Sequence, residues 1–471
     1  MTLQRLKPLT QEREREIVWQ GEGFGRVKAM RIGIAAAALA VGSAAIWAHG
    51  LAVAQDAPAV ETPAVQTVVH AGRLLADPAT GRVLTNQSLL IDAAGRIIAV
   101  EAGFASPEGA EVIDQSTRFV LPGLIDSHVH ILTESSPSGR LESVTRSTSF
   151  AALRGVHYAE RTLAAGFTTV VDLGGEQEAI FALRDAIAQG LVDGPRIIAA
   201  GRSITPHGGH GDAQGFRPEV MAVMRSPSAC SGADDCRRAV RDAVQAGADV
   251  IKITATGGVL SDTAAGLGQQ LSDAELEAIV DAAHSMGRRV VAHAHGVEGI
   301  NAALRAGVDG IEHGTYLDDE SIRLFRRNGA YLVPTVLAGV TVYERAQIPG
   351  ALTPAQRLKA LEVGPLMVDM LRRAHAGGVQ VAFGTDSGVS AHGDNAREFE
   401  LMVEAGFTPI EAIQAATVNA AAHLGMEDRL GRLAPGYAAD MIAVDGDPRE
   451  DIAQLRAVRW VMARGETVGR D

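Results

Sequence analysis

The chain is poor in cysteine, with two among 471 residues, and poor in aromatics, at 4%. It also lacks a surplus of positive charge. The formal charge is −13, and no run of basic residues occurs in the globular part. Phosphate recognition relies on Lys and Arg, so a nucleic-acid partner is excluded. No internal repeat or low-complexity linker interrupts the chain. What is abundant is glycine, 52 residues. Many short turns between strands and helices, each wanting a residue free of Cβ, produce that bias. Apolar residues at 46% and charged residues at 21% suit a globular protein. The length accommodates one large α/β barrel with an accessory domain, or two or three smaller domains.

The N-terminus reads as a targeting segment. Arg26, Lys28 and Arg31 precede an apolar stretch from Ile32 to about Trp47, and Ala52-Val53-Ala54 stands ahead of Gln55. This pattern predicts a secretory signal over 30–54, cleaved after Ala54, and an exported protein, periplasmic or secreted. An uncleaved membrane anchor is the alternative, though the stretch is near the lower length limit for a span. Residues 1–29 are polar and aperiodic, as in a gene-model extension upstream of a true start at Met30. Loss of 1–54 removes seven basic and four acidic residues and leaves the mature chain at −16. No membrane span is expected after cleavage. Export favours a disulfide between Cys230 and Cys236, in SACSGADDC, over two free thiols or a metal pair.

Residues 66–120 alternate apolar and polar positions between turn residues, as short β-strands do, and 55–122 reads as the first part of a β-rich domain. From 123 to 424 the texture becomes strand, Gly-containing loop and amphipathic helix, repeated. Eight strand candidates lie between 123 and 386, including TTVVDL, DVIKITA, RVVAHAH and VQVAFGTD. Alternating strands and helices imply parallel βαβ units, and eight is the number that closes a TIM-like (β/α)8 barrel. Strand texture returns over 425–471. The simplest arrangement pairs both chain ends into one small β-sandwich domain beside the barrel.

Chemistry concentrates at strand ends. In LPGLIDSHVH, His128 and His130 sit at positions i and i+2 of a strand, so both imidazoles face one side. His293 in VVAHAHG, His313 in GIEHG and Asp386 in VAFGTDSG each end a further strand, where barrel active sites are built. Each alone fits a hydrogen-bonded histidine or a helix-capping aspartate. Several consecutive strands ending this way favour a zinc-type site, for which imidazole and carboxylate are the expected ligands. Lys252 lies inside the apolar strand DVIKITA. A buried ammonium needs a partner or a changed charge, and it cannot sit between two cations. Addition of CO2 converts its amine to an anionic carbamate with one oxygen for each of two metals. A structural lysine reaching an acidic partner is the alternative.

Over 66–471 the chain resembles the amidohydrolase superfamily, through LPGLIDSHVH, GFTTVVDLGG, DVIKI, VVAHAHG, GIEHG, FGTDSG and GRLAPGYAADMIAVDGDP. The order HxH, Lys, His, His, Asp is similar to the binuclear branch with a carboxylated lysine. Within it the chain is most similar to Xaa-Pro dipeptidase, carboxypeptidase and imidazolonepropionase-like members, a group that includes ochratoxin-hydrolysing bacterial enzymes. The resemblance implies two divalent metal ions, zinc foremost. His128, His130 and Asp386 would hold the buried ion, His293 and His313 the exposed one, and carboxylated Lys252 would bridge. It implies homo-oligomers, possible octamers among them. One departure is Val171, where many relatives carry Arg; packing or substrate contacts are what it puts in doubt.

The expected reaction is hydrolysis of the amide bond of a small N-acyl amino acid or dipeptide-like substrate, by a hydroxide shared between two metals about 3.5–4 Å apart. Asp386 is the expected base and carrier of the proton to the leaving amine, with a pure ligand role as the alternative. His210, in the Gly-rich loop ITPHGGHGD, is expected to stabilise the oxyanion or hold substrate. His295, on the side of its strand that His293 faces, is expected to contact substrate or metal. Arg202, His210 and His295 are candidates for reading a substrate carboxylate, and His392 for lining the pocket; His207 reads as a loop residue. A cyclic-amide hydrolase of imidazolonepropionase type is the second reading. A non-catalytic metal-binding protein is a third, but it predicts a missing ligand and none is missing.

Overall fold

The computed structural model describes residues 64–136, 138–262 and 266–469. The expected extension, signal segment and cleavage site lie outside them. Four strands come first, β1 (Val65–Leu74), β2 (Leu84–Asp92), β3 (Ile97–Ala102) and β4 (Glu111–Pro122). Then come β5 (Leu124–Val129), β6 (Phe167–Asp172) and β7 (Arg196–Ala199), with the two-residue strands β8 (Thr205–Pro206) and β9 (Ala229–Cys230) in the following excursion. The series continues with β10 (Ile251–Thr254), β11 (Val290–Ala294), β12 (Gly310–His313), β13 (Tyr331–Val333) and β14 (Gln380–Val381). The last strands are β15 (Met441–Val444), β16 (Trp460–Ala463) and β17 (Glu466–Thr467).

The architecture is an α/β, TIM-like barrel. Its eight parallel strands fall into two sheets, β5-β6-β7 and β10-β11-β12-β13-β14. These do not merge into one ladder. Single parallel bridges, Ile204 to Ile253 and Val129 to Ser387, join them at the two seams. The strands carry near-continuous apolar residues because both faces are covered, side chains filling the inside and helices the outside. Local signals explain the helices. Asp273–Ser285 starts in a capping box of Ser272 and Glu275 and buries Leu276, Ile279 and Ala283. Val297–Ala306 stops at Gly307, whose φ of 94° only glycine adopts cheaply, and the chain turns directly into β12.

Strands from both chain ends do pair, in the order β17-β16-β15-β4-β1-β2-β3. They form one hydrogen-bonded seven-stranded sheet, and the expected two-layer sandwich is not shown by it. β4 runs parallel to β1 on one edge and takes β15 antiparallel on the other, so the two ends join edge to edge rather than face to face. Val69, Ala71, Leu89, Ile91, Met441 and Met462 form its apolar cluster. β4 ends at Pro122 and β5 starts at Leu124, so this sheet anchors the strand that delivers His128. Cys230 and Cys236 form a buried disulfide at the start of the helix Ala233–Ala246. Among the described residues, no helix is long and apolar enough to cross a membrane.

Candidate metal centre

All eight residues singled out by the strand ends and the Gly-rich loop line one cavity of about 1090 Å³ at the C-terminal ends of the strands. They are His128, His130, His210, Lys252, His293, His295, His313 and Asp386. Two groups have nitrogen or carboxylate atoms within 4.8 Å of one another: His128, His313 and Asp386, and His293, His295 and His313. His130 Nε2 lies 3.2 Å from Asp386 Oδ1, which is also 3.6 Å from His128 Nε2.

The histidines are aimed by partners on their far nitrogens. His128 Nδ1 meets Glu312 Oε2 at 2.6 Å, and His130 Nδ1 meets the Gly174 carbonyl at 2.7 Å. His313 Nδ1 meets Thr335 Oγ1 at 2.7 Å, and His295 Nδ1 meets Thr315 Oγ1 at 2.8 Å. Each leaves Nε2 facing the cavity centre. His293 is reversed, with Nε2 3.3 Å from the Gly257 carbonyl and Nδ1 left over. Such outer partners set tautomer and ring orientation in metal sites.

Burial pushes His128, His293 and His313 well below the ordinary histidine range, helped by Lys252 beside His128 and by neighbouring imidazoles for the other two. They are therefore neutral at neutral pH, the form that binds metal. Burial raises the Asp386 carboxyl, but His128, His130 and Lys252 outweigh it and hold the group ionised, down to about 2. Lys252 is buried, with Nζ 3.4 Å from His128 Nε2. Burial lowers its pKa although Glu312, Asp386 and Asp172 pull the other way.

The donor set fits a metal centre. Asp386 Oδ1 is buried and makes no hydrogen bond, although two imidazole nitrogens approach it. A buried carboxylate oxygen left so is costly unless a further group satisfies it. A cation held by Asp386, His128 and His130 would do so. The backbone also marks the site, because His313, Thr335 and Asp386 all have positive φ, at 72°, 49° and 56°. Non-glycine residues persist in that region only where their surroundings over-determine them.

Three buried carboxylates were not singled out in the sequence. Asp126 accepts from the His128 and Thr385 amides and from Thr385 Oγ1, tying β5 to the Asp386 segment. Asp172 accepts from the Ile131 amide, behind His130. Glu312 orients His128. The available signal was an acid inside an otherwise apolar strand, the same signal that exposed Lys252.

One expectation is corrected, and the remaining residues fall as follows. His392 does not line the cavity; it is buried behind it, its ring against Tyr158 and Nε2 on the Thr133 carbonyl. Arg202 is at the cavity mouth, but one guanidinium nitrogen already serves both Glu176 oxygens. His207 bonds Ser231 on the surface. Val171 packs with Leu173, Ala200, Val250 and Val291, so the departure from the family pattern is one of packing.

The fold, the strand-end histidines and aspartate, and the profile of the amidohydrolase family, which matches residues 119–468, place the chain in that family. It is accordingly a hydrolase acting on carbon–nitrogen bonds. It is 33% identical to ochratoxinase of Aspergillus niger over 412 residues, 82% of each chain. A solved Xaa-Pro dipeptidase with methionine in its active site superposes with a TM-score of 0.81 at 40% identity, over 85% of this chain and 99% of that one. A prolidase complexed with N-methylphosphonate-L-proline gives a TM-score of 0.78 at 32% identity, over 86% of this chain and all of that one.

Proposed function

We propose that this protein is a binuclear, metal-dependent amidohydrolase that removes the C-terminal amino acid from N-acyl amino acids or dipeptide-like substrates. The observation that carries the reading is the juxtaposition of Lys252, His128 and Asp386. An amine buried 3.4 Å from an imidazole nitrogen, with its ammonium form disfavoured, is suited to take up CO2 and become an anionic ligand. His128, His130 and Asp386 would then hold one divalent cation, and His293 and His313 the other, with carboxylated Lys252 common to both. His295 joins the second group by distance; with Nδ1 on Thr315 its Nε2 also faces the cavity, and the role proposed for it is to contact substrate.

Two divalent ions, when bound, supply Lewis acidity and a water of lowered pKa. The remaining work falls to the chain. Asp386, ionised and next to His130, accepts the proton of the attacking water and returns it to the amide nitrogen, without which an amine leaves poorly. His210 is neutral, burial having lowered it to about 4. Ser261 Oγ lies 2.7 Å from its Nδ1. With the hydroxyl donating, the ring proton sits on Nε2, ready to donate to the carbonyl oxygen as negative charge develops.

The mouth supports a carboxylate-bearing substrate. Arg146 and Arg225 line it, and neither forms an ion pair among the described residues. Leu132, Leu260, Val342 and Met367 supply apolar wall for the substrate side chains. The similarity to ochratoxinase and Xaa-Pro dipeptidase favours the same chemistry. The proposal includes an exported protein, which the buried disulfide supports.

The test is turnover by zinc-loaded protein of a panel comprising N-acyl amino acids, Xaa-Pro and Xaa-Arg dipeptides, ochratoxin A and imidazolonepropionate. Hydrolysis of open-chain amides ending in a free carboxylate is expected. Turnover of the ring substrate alone replaces this reading with the cyclic-amide one.

A further inference from the structure

His210 is held on every side. Its carbonyl accepts from Thr254 Oγ1 at 2.7 Å and its amide donates to Gln270 Oε1 at 2.8 Å. Its ring lies against His293, centroids 4.1 Å apart. On the other side the ring rests on Gly258, where a Cβ would stand 2.4 Å from it. The remaining contact, Ser261 Oγ on Nδ1, comes from the same segment as Gly258. Residues 257–262 thus form a platform that touches both His210 and His293, the latter through the Gly257 carbonyl.

That platform is gripped from outside by one helix face. The helix Pro354–Val363 starts in a capping box of Thr353 and Gln356, which points its first turn at the platform. Thr353 Oγ1 donates to Asp262 Oδ1 at 2.9 Å, and Gln356 Nε2 to the Leu260 carbonyl at 2.8 Å. One turn further on, Lys359 Nζ donates to the carbonyls of Gly258 and Ser261, each at 2.8 Å. Positions 353, 356 and 359 lie three apart, on one face of the helix. Lys359 is buried and does not line the cavity. Burying an ammonium is costly, and the nearby Asp262 carboxylate offsets part of that cost. What the ammonium adds is direction. It draws two carbonyls, three residues apart, to one point and so sets the curvature of the platform.

We infer that Lys359 is a positioning residue for amide hydrolysis, acting through Gly258 and Ser261 to hold His210 with its Nε2–H aimed at the substrate oxygen. This rests on the reading of His210 given above. Lys359 touches neither substrate nor metal. Its removal lets the platform relax, Ser261 drift from Nδ1, and the ring lose both its place and its preferred tautomer.

The experiment compares metal-loaded wild-type protein with Lys359→Met, Lys359→Arg, Ser261→Ala and the Ser261→Ala/Lys359→Met double variant. Each is measured for kcat, KM, bound metal, Tm and backbone hydrogen exchange over residues 257–262. Lys359→Met and Ser261→Ala should each lower kcat about tenfold, since misplacement by about 1 Å is enough for such losses. KM and metal content should stay within about threefold of wild type, and the double variant should be no slower than about threefold below the worse single, as for two steps of one path. Lys359→Arg, which keeps the charge, should recover part of kcat. Exchange over 257–262 should speed up in Lys359→Met and not in Ser261→Ala. Unchanged kcat per folded molecule with only a lower Tm overturns the inference, and so do multiplicative losses in the double variant. If wild type hydrolyses no amide, the functional proposal fails by itself, and the exchange measurement still decides the clamp. Should Lys359→Met not fold, unaltered kcat in both Ser261→Ala and Lys359→Arg overturns it.

Discussion

Glu312 orients His128: its Oε2 lies 2.6 Å from Nδ1, and the two side chains, 184 residues apart in sequence, are wholly buried. Burial pushes the Glu312 carboxyl up to about 7 although Lys252 opposes the shift. Its other oxygen, Oε1, has no hydrogen-bond partner. A buried carboxylate so sparingly satisfied serves the imidazole it holds. Glu312→Gln should keep the fold and weaken zinc affinity about 10–100-fold, the usual effect of losing an outer carboxylate. Competition with a chromogenic chelator measures it, and an affinity equal to wild type removes Glu312 from the metal centre.

Lys252→Ala should abolish hydrolysis and reduce bound metal toward one ion per chain, because the group proposed to serve both ions is gone. Metal loading of stripped wild-type protein should also rise with added bicarbonate, while the variant does not respond. Elemental analysis reads both. Two ions and full activity in Lys252→Ala would sink the bridging assignment.

Arg225→Ala should raise KM for substrates ending in a free carboxylate about tenfold or more, the loss of one charge-assisted contact. Amidated analogues of the same substrates should be affected less than about threefold, and kcat should hold. Equal effects on both substrate forms point instead to a general disturbance of the mouth.

Glu398 links the barrel to pH. It is fully buried and accepts from the Val336 and Leu337 amides at 2.9 and 2.6 Å, at the start of the helix Val336–Ala346. Burial outweighs those contacts and pushes its pKa up from 4.5 to about 8. The folded protein therefore keeps this proton through a range in which the unfolded chain has lost it. Stability from the group is full below the unfolded value and is lost as pH rises toward the folded one. The slope approaches about 1.4 kcal/mol per pH unit within that window. Glu398→Gln should flatten this part of the profile and be relatively more stable at its alkaline end. Urea unfolding at several pH values tests it, and parallel profiles for the two proteins contradict the assignment.

Much of the site was legible because strand geometry is local. His128 and His130 share a side by the alternation of a strand, and both reach the cavity. Helix caps and glycine stops marked the βα repeat, and their count of eight agrees with the barrel strands. Glu312 was less visible because alternation misleads at its position. Neighbours on a strand face opposite ways, yet Glu312 and His313 both serve the centre. His313 has a positive φ of 72° at the end of its strand, a departure from strand geometry that nothing in GIEHG announces. His392 erred in the opposite way: it lies in the loop after Asp386, and its direction depends on the packing of Tyr158 and Thr133 rather than on the strand before it.

By itself the sequence determined the residue types, their order along the strands and hence the family, since ligand chemistry and strand periodicity are written locally. Tertiary structure alone decided which nitrogen of each histidine is free, which carboxylates stand behind them, and that strands from both chain ends share one hydrogen-bonded sheet. It also brought Lys359 to the loop beneath His210. Those relations join atoms distant in sequence, and their energies depend on burial and direction, neither of which a linear pattern records.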